Sequence, residues 1–222
     1  MSTPVLIIGN KNYSSWSLRP WLLLKANNIA FDEVLVPLYQ QDSKVAIQTH
    51  SPAAQTPYAK VPILRDGEIR VWDSLAICEY VAERWPRVRG WPESRANRAL
   101  ARAISAEMHA GFGTLRSEMP MNCRRAPAPV PITAALQADI DRVIEIWTGC
   151  RASAAAGPFL FGSFGIADAM FAPVVLRFSI YAVALSGAAR TYADAVLALP
   201  ALQRWLADAR SESYVLEKFE RA

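Results

Sequence analysis

Close to its start the chain reads Val5-Leu6-Ile7-Ile8-Gly9-Asn10-Lys11-Asn12-Tyr13-Ser14-Ser15-Trp16-Ser17-Leu18-Arg19-Pro20-Trp21. Val5–Ile8 has the length and the branched side chains of a buried strand, and the polar residues Gly9–Ser14 are typical of a loop. Apolar residues at helical spacing follow, and Pro20 is tolerated in a first helical turn, where its missing N–H would have no partner. We therefore predict a strand, a loop and a helix that begins near Ser14.

Ser14, Ser15 and Ser17 lie at or just inside this helix start. One interpretation is structural: a serine hydroxyl caps the free N–H groups of the first turn. The other is chemical, because the positive end of the helix dipole favours an anion. A hydroxyl beside it that donates to a bound thiolate would lower the pKa of that thiol from about 8.5 towards neutrality. No cysteine lies here, so the thiol would come from a ligand, and this stretch alone leaves both interpretations open.

Length and composition indicate a folded globular protein. The chain has 222 residues, enough for one large domain or two smaller ones, and 52% of them are hydrophobic and 20% charged. The net charge of +4 is scattered, and Arg124-Arg125 is the only adjacent basic pair in the sequence. We therefore expect no nucleic-acid partner.

The sequence also lacks the patterns of membrane, secreted and metal-binding proteins. No apolar run reaches the roughly 18 residues of a spanning helix, and the N-terminus has no signal-peptide pattern. The cysteines Cys78, Cys123 and Cys150 have no metal-ligand spacing, and His50 and His109 are too few for a histidine-based site. We expect free thiols, no metal, no membrane association and a cytoplasmic location.

A hairpin is the clearest unit in the rest of the first half. Val61–Arg65 and Glu68–Trp72 alternate in polarity, and Asp66-Gly67 joins them. A helix over Leu75–Trp85 follows. The other predicted elements here are a strand over Phe31–Val36, a short irregular helix within 38–50 and a loop over 52–57. The order β-α-β-α-β-β-α, with one right-handed parallel unit and an antiparallel hairpin, is the thioredoxin-like plan.

The second half shows helical patterns without strands. We predict helices over Glu93–Met119, Ile132–Ala156, Gly165–Ala184 and Leu197–Arg210, the third of them apolar enough to be the buried centre of a bundle. The chain is therefore predicted as an α/β domain over 1–86, a linker over 87–94 and an all-helical domain over 95–222.

This arrangement resembles the soluble glutathione transferases, and four local stretches agree with it. Ser14-Ser15-Trp16-Ser17-Leu18-Arg19 looks like the serine motif of the zeta and related serine-type classes. The other stretches are Val61-Pro62, similar to a family step with a cis proline, Asp73-Ser74 at a helix start, and a capping box within Phe159–Ala169. The resemblance implies that Ser14 serves the glutathione sulfur, with Ser15 as the second candidate and Tyr13 as a weaker third.

The same resemblance implies a glutathione site made by the other motifs. Val61, before the cis bond to Pro62, would hold the cysteinyl unit through its main chain. Ser74 would take the γ-glutamyl carboxylate and Asp73 its ammonium group, and Lys60 is a candidate for the glycine carboxylate. One departure matters: Trp16 stands where the zeta isomerases have a cysteine, and this argues against simple transfer of maleylacetoacetate isomerisation.

The electrophile is expected between the domains, against the first long helix of the second half. The candidate pocket residues are Met108, His109, Phe112 and Arg116. For Met108 and Phe112 the alternative is core packing, whereas His109 and Arg116 are harder to bury unpaired and favour an acidic substrate. Arg124 is a candidate for the rim of the pocket.

The resemblance therefore implies an enzyme that activates the thiol of glutathione, its co-substrate, for attack on a small electrophile in detoxification. One alternative is a glutathione-dependent isomerase of the maleylacetoacetate type. The other is a non-catalytic protein of the same fold, used for binding or partner contacts. A homodimer is implied by the resemblance.

Overall fold

The structure, a computed structural model, describes residues 3–50, 59–154 and 156–220. The first part contains β1 (Val5–Ile8), α1 (Ser15–Ala26), β2 (Asp32–Leu35), α2 (Ser43–His50), β3 (Ile63–Asp66), β4 (Ile69–Trp72) and α3 (Ser74–Arg84). The later part contains α4 (Arg95–Ala110), α5 (Gly113–Glu118), α6 (Ala134–Ser153), α7 (Ile166–Ile180), α8 (Gly187–Leu197), α9 (Pro200–Ser211) and a 3₁₀ turn (Glu217–Phe219). The predicted β-α-β-α-β-β-α order is present.

The strands form one mixed sheet in the order β2-β1-β3-β4. β1 runs parallel to β2, with Val5 beside Asp32, and antiparallel to β3, with Ile7 beside Ile63. β4 returns antiparallel to β3 and places Trp72 beside Ile63. The parallel pair is connected through α1, which is the crossover that the sequence predicts.

Helix α7 is the centre of the helical part, and it contacts both α1 and α4. Its residues from Ile166 to Phe178 are all buried. On the side of α6, the ring of Trp147 lies 6.1 Å from that of Phe171 and 5.4 Å from that of Phe178. The core is therefore continuous between the sheet and the helices, as expected of a buried central helix.

Asp168 fixes the start of α7. Its carboxylate accepts the main-chain N–H of Gly165 at 2.8 Å and that of Leu160 at 3.0 Å. Burial raises the pKa of Asp168 to about 6, while these two N–H groups act in the opposite direction. Because Gly165 has no side chain, one half of the predicted capping box is present and the reciprocal half is missing.

The predicted helical stretch 93–119 is divided into α4 and α5. The two helices are separated at Phe112, whose backbone is left-handed with a φ of 59°. Arg116 then donates to the main-chain oxygens of Met108 and His109 at the end of α4. The turn therefore brings a guanidinium back to the end of the preceding helix, where carbonyl groups lack helical partners.

The sequence does not predict α8. Among its buried residues Ala189, Tyr192, Ala193 and Val196, two are alanines, which give a weak periodic signal. The predicted loop over 52–57 lies outside the described residues.

In the described ranges no helix is long and apolar enough to cross a membrane. The same ranges contain no group of three or more His, Cys, Asp or Glu side chains that could hold a metal ion. We propose the domain division given by the sequence, since α3 ends at Arg84 and α4 begins at Arg95, on either side of the expected linker.

The cysteines are unsuitable as nucleophiles. Cys78, Cys123 and Cys150 are free and buried. Burial raises the pKa of each thiol, to about 12 for Cys123 and to about 11 for Cys150. They are therefore neutral at physiological pH, and thiolate chemistry would need a thiol from a ligand.

Candidate active site

Three predicted motifs meet at one edge of the sheet because of the strand register. β1 ends at Ile8 and β3 begins at Ile63, which pairs with Ile7, so the loop to Ser14 and the Val61-Pro62 step leave the sheet at the same edge. The Ile63–Trp72 pair continued by one residue places Pro62 beside Asp73. The Val61-Pro62 peptide bond is cis, as the resemblance implies. The loop to Ser14, the Val-Pro step and the Asp-Ser pair therefore lie side by side.

Ser14 is the N-cap of α1, and its hydroxyl is buried within the protein. Its Oγ accepts the N–H of Ser17 at 3.4 Å and donates to Ser17 Oγ at 2.7 Å. Ser17 Oγ in turn accepts the N–H of Gly9 at 3.1 Å. The structural interpretation of the serine cluster is therefore correct for Ser14, whatever else its hydroxyl does.

Ser15 is the first residue of α1 and is half-buried. Its Oγ accepts a hydrogen bond from Nη2 of Arg177, on α7, at 3.3 Å. The guanidinium also donates to the main-chain oxygens of Met119 at 2.8 Å and Pro173 at 3.3 Å. A buried cation therefore lies directly behind the second serine.

Asp73 and Ser74 form the start of α3, as predicted. Oδ1 of Asp73 caps the helix by accepting the N–H groups of Leu75 at 2.9 Å and Ala76 at 3.2 Å. Ser74 is buried, and its Oγ accepts a hydrogen bond from Arg19 Nη1 at 3.2 Å. This contact joins α1 to α3, so the serine motif and the Asp-Ser pair are physically connected.

His109 joins the Asp-Ser pair to the helical part. Its Nε2 lies 3.0 Å from Oδ2 of Asp73, and its ring meets the ring of Trp16 edge-on at 5.2 Å. Burial lowers the pKa of His109, Asp73 raises it, and Arg19 and Arg116 lower it further. At neutral pH the imidazole is therefore uncharged and donates Nε2–H to the Asp73 carboxylate.

Two guanidinium groups lie against the ring of Trp16, and that of Arg177 lies at the start of the same helix. Those of Arg19 and Arg116 lie 4.3 and 4.9 Å from the centre of its ring. Burial and the neighbouring cations lower the pKa of Arg19 to about 9 and that of Arg177 to about 10, so both stay charged at neutral pH. Within the described residues no carboxylate lies within 4 Å of any of these guanidiniums. The region is therefore suited to an anion.

The predicted pocket residues fall into two groups. Met108 and Phe112 are 1% and 6% exposed and belong to the hydrophobic core, which favours the packing alternative for both. His109 and Arg116 face Trp16 instead and are only partly buried. The four residues are close in sequence, but two of them pack in the core and the other two lie beside Trp16.

Arg124 and Tyr13 take part in a contact with the C-terminal segment. Arg124 donates to the main-chain oxygens of Glu212 at 2.6 Å and Tyr214 at 2.7 Å. It also donates to the hydroxyl of Tyr13 at 2.8 Å, and that hydroxyl accepts the N–H of Leu216 at 3.1 Å. Both side chains are therefore engaged by the C-terminal segment, and Tyr13 remains the weakest candidate for binding the thiol.

Sequence reasoning missed Arg177 and assigned no role to Arg19. Arg19 lies within the quoted serine motif, but the sequence does not show that its side chain reaches the Asp-Ser pair. Arg177 had a signal, because it is the only charged residue besides Asp168 in the apolar helix Ile166–Ile180. A single cation in such a helix is costly unless it has a partner.

Comparison with known proteins identifies the family of this chain. The family model of the glutathione S-transferase N-terminal domain matches residues 13–84, and that of the glutathione S-transferase C-terminal domain matches residues 130–208. The chain therefore belongs to the glutathione S-transferase family, and the resemblance inferred from the sequence is confirmed.

Two curated relatives cover different shares of the chain. A probable maleylacetoacetate isomerase of Caenorhabditis elegans is 34% identical over 114 residues, which are 51% of this chain and 50% of that protein. The chain thus matches only about half the length of this relative. Glutathione S-transferase GstB of Escherichia coli is 28% identical over 68% of this chain and 69% of its own length.

Solved structures confirm the predicted fold class. A bacterial maleyl pyruvate isomerase, described as a zeta-class glutathione S-transferase, superposes with a TM-score of 0.68 at 21% identity. It matches 95% of this chain and 100% of that one. A glutathione transferase homologue from Burkholderia with bound glutathione gives a TM-score of 0.66 at 20% identity, with the same coverage.

Proposed function

We propose that this protein is an enzyme that binds glutathione and activates its thiol for attack on a small electrophile. The observation that carries the proposal is the start of α1, where Ser14 is the N-cap, Ser15 is the first helical residue, and the Ser15 hydroxyl contacts the cation of Arg177. All of these favour a thiolate over a thiol. Membership of the glutathione S-transferase family supports glutathione as the thiol.

In the proposed reaction the S–H bond of glutathione breaks and its proton passes to water. The sulfur keeps the electron pair, is stabilised by a serine hydroxyl, and forms a C–S bond with the electrophilic carbon. In a substitution the leaving group departs with its bonding pair, and in an addition the displaced π pair takes a proton from water. In water only a few per cent of a thiol with a pKa near 8.5 is ionised at pH 7. Lowering that pKa by about two units corresponds to about 2.7 kcal/mol of preferential binding of the anion.

For the rest of glutathione we propose the roles implied by the motifs. The main chain of Val61, before cis Pro62, takes the cysteinyl unit as an added strand would. Ser74 and the start of α3 take the γ-glutamyl carboxylate, and Asp73 its ammonium group, which would share Asp73 with His109. Lys60 is proposed for the glycine carboxylate.

A second candidate reaction is the isomerisation of an acidic substrate through a glutathione adduct. The observation that favours it is the positive region around Trp16, with Arg116 and His109 at its edge. The relatives named as maleylacetoacetate and maleyl pyruvate isomerases fit the same idea. Trp16 in place of cysteine argues against an identical mechanism.

The test is calorimetric titration of glutathione with thiolate absorbance followed against pH. We expect wild type to bind glutathione with a lowered thiol pKa, and the double variant Ser14→Ala/Ser15→Ala to lose most of that shift. Ser117→Ala, an exposed serine of α5, is the matched control and should behave like wild type. If wild type binds glutathione without a lowered thiol pKa, the non-catalytic binding protein is supported instead. If the thiol pKa is lowered, assays with acidic and neutral electrophiles separate isomerisation from conjugation.

We also propose a homodimer, a cytoplasmic location and a role in detoxification. The dimer is supported by large apolar side chains that are exposed in the monomer, Ile69 at 49% and Trp72 at 43% on β4 and Leu100 at 41% on α4. Light scattering tests it, and Trp72→Glu should shift the protein towards monomer. A monomeric wild type would refute this part of the proposal without affecting thiol activation.

A further inference from the structure

The hydroxyl groups of Ser14 and Ser15, at the start of α1, differ in whether their hydrogen has an acceptor. That of Ser14 is donated to Ser17 Oγ at 2.7 Å, so this hydroxyl is engaged inside the protein. The Oγ of Ser15 accepts from Arg177, and no described residue accepts its hydrogen. A hydroxyl that accepts from a cation and still has its own hydrogen to donate is well placed to serve an anion.

Arg177 is buried, with an exposed fraction of 6%, and its other hydrogen bonds go to main-chain oxygens at 2.8 and 3.3 Å. Throughout the described ranges it has no carboxylate within salt-bridge distance. A buried charge without a counter-ion is normally costly. The missing negative charge can be supplied by a ligand on the far side of Ser15.

We propose that Arg177 is a positioning residue that orients and polarises Ser15, and that Ser15 is the hydroxyl that donates to the glutathione thiolate. This inference rests on the proposed function. The thiol S–H bond breaks, its proton goes to solvent water, and the sulfur keeps the electron pair. Ser15 retains its hydrogen and donates it to the sulfur while accepting Nη2–H of Arg177.

Two other arginines lie near the start of α1. Arg116 and Arg19 also influence this region, since each adds positive charge near the start of α1. Arg177 differs from both because it has a direct contact with a serine of the motif. An effect through Ser15 must therefore disappear when the Ser15 hydroxyl is removed, whereas a general effect of charge must persist.

The test is a double-variant cycle read out as the pKa of the bound glutathione thiol. Arg177→Met should raise that pKa by about one unit, with up to about tenfold less thiolate near neutral pH. In a Ser15→Ala background the same change should add little. Arg177→Lys, which keeps the charge without the planar fork, should give an intermediate pKa. Arg190→Met, which removes an exposed cation on α8, is the control.

The outcomes separate this inference from the proposed function. An equal rise of the pKa in both backgrounds, or no rise in either, would overturn the route through Ser15 while glutathione binding and activation still stand. Absence of glutathione binding by wild type would overturn both. If circular dichroism shows that Arg177→Met is unfolded, the same cycle is made with Arg177→Lys and Ser15→Ala. The criterion is again whether the rise in the thiol pKa disappears in the Ser15→Ala background.

Discussion

The carboxylate of Glu212, just after α9, holds the loop that leads to the serine motif. It accepts the main-chain N–H of Lys11 at 2.6 Å and that of Asn12 at 3.0 Å. Burial raises the pKa of Glu212, and these N–H groups act in the opposite direction. Because Arg124 also donates to the Glu212 carbonyl, the C-terminal segment and this loop form one structural unit.

Replacement of Glu212 by alanine removes two charge-assisted hydrogen bonds and leaves two main-chain donors without a partner. Each hydrogen bond to a charged group contributes about 1.5 kcal/mol or more, so Glu212→Ala should lower the free energy of unfolding by about 3 kcal/mol. In a chain of this size that corresponds to a Tm lower by roughly 6–12 °C. Glu212→Gln keeps one acceptor oxygen, so we expect about half of this loss.

The assay is thermal and denaturant unfolding, with glutathione titration of the folded variants. Glu217→Gln, an exposed residue of the same segment, is the matched control and should be neutral. We also expect weaker glutathione binding by Glu212→Ala, because the loop before Ser14 loses its anchor. The reasoning is refuted if Glu212→Ala unfolds like the Glu217→Gln control, or if glutathione affinity does not change although stability does.

Three further predictions concern the rest of the fold. Asp168→Ala leaves two buried N–H groups unpaired and should cost about 3 kcal/mol in denaturant unfolding, with Asp168→Asn near half of that; equal costs would contradict the argument from two acceptor atoms. Because the folded-state pKa of His109 is lowered, its contribution to stability should fall as the pH drops below about 6.5, as should that of His50, whereas the raised pKa values of Asp168 and Glu212 act in the opposite direction. His109→Gln removes only the first of these contributions, so in denaturant unfolding it should gain stability relative to wild type as the pH falls below about 6.5. Met108→Ala should lower the free energy of unfolding by about 2–5 kcal/mol if Met108 packs in the core. An unchanged Tm with a loss of activity that depends on the substrate would instead show that Met108 lines the electrophile pocket.

The sheet and its motifs were accessible to sequence reasoning because their signals are local. The Asp66-Gly67 turn between alternating runs identifies the hairpin, and Val5–Ile8 has the composition of a buried strand. Once the register is set by this hairpin, cis Pro62 and Asp73 must be neighbours. The pairing of β1 with β3, which brings the serine motif to the same edge, is not set by this hairpin and comes from the structure.

The helical part was less accessible because its geometry depends on tertiary contacts. The break between α4 and α5 occurs at Gly111, the C-cap of α4, and Phe112, the N-cap of α5, so Gly111 and Gly113 were a helix-ending signal that the prediction of one helix over 93–119 did not use. It is supported by Arg116, which donates to the end of α4, and by Asp139 of α6, which accepts the N–H of Leu115 at 2.9 Å. Such partners cannot be read from the residues at the break.

Trp16 and the arginines are connected by electrostatics. Three guanidiniums close together repel one another, and burial adds to the cost. The face of an indole ring is negative and stabilises a cation near it, so Trp16 offsets part of the repulsion between Arg19 and Arg116. The residue that departs from the zeta-type motif thus helps to maintain positive charge beside Ser15. Trp16 in place of cysteine therefore changes which side chains surround the anion site, while the arginines still require an anion to balance their charge.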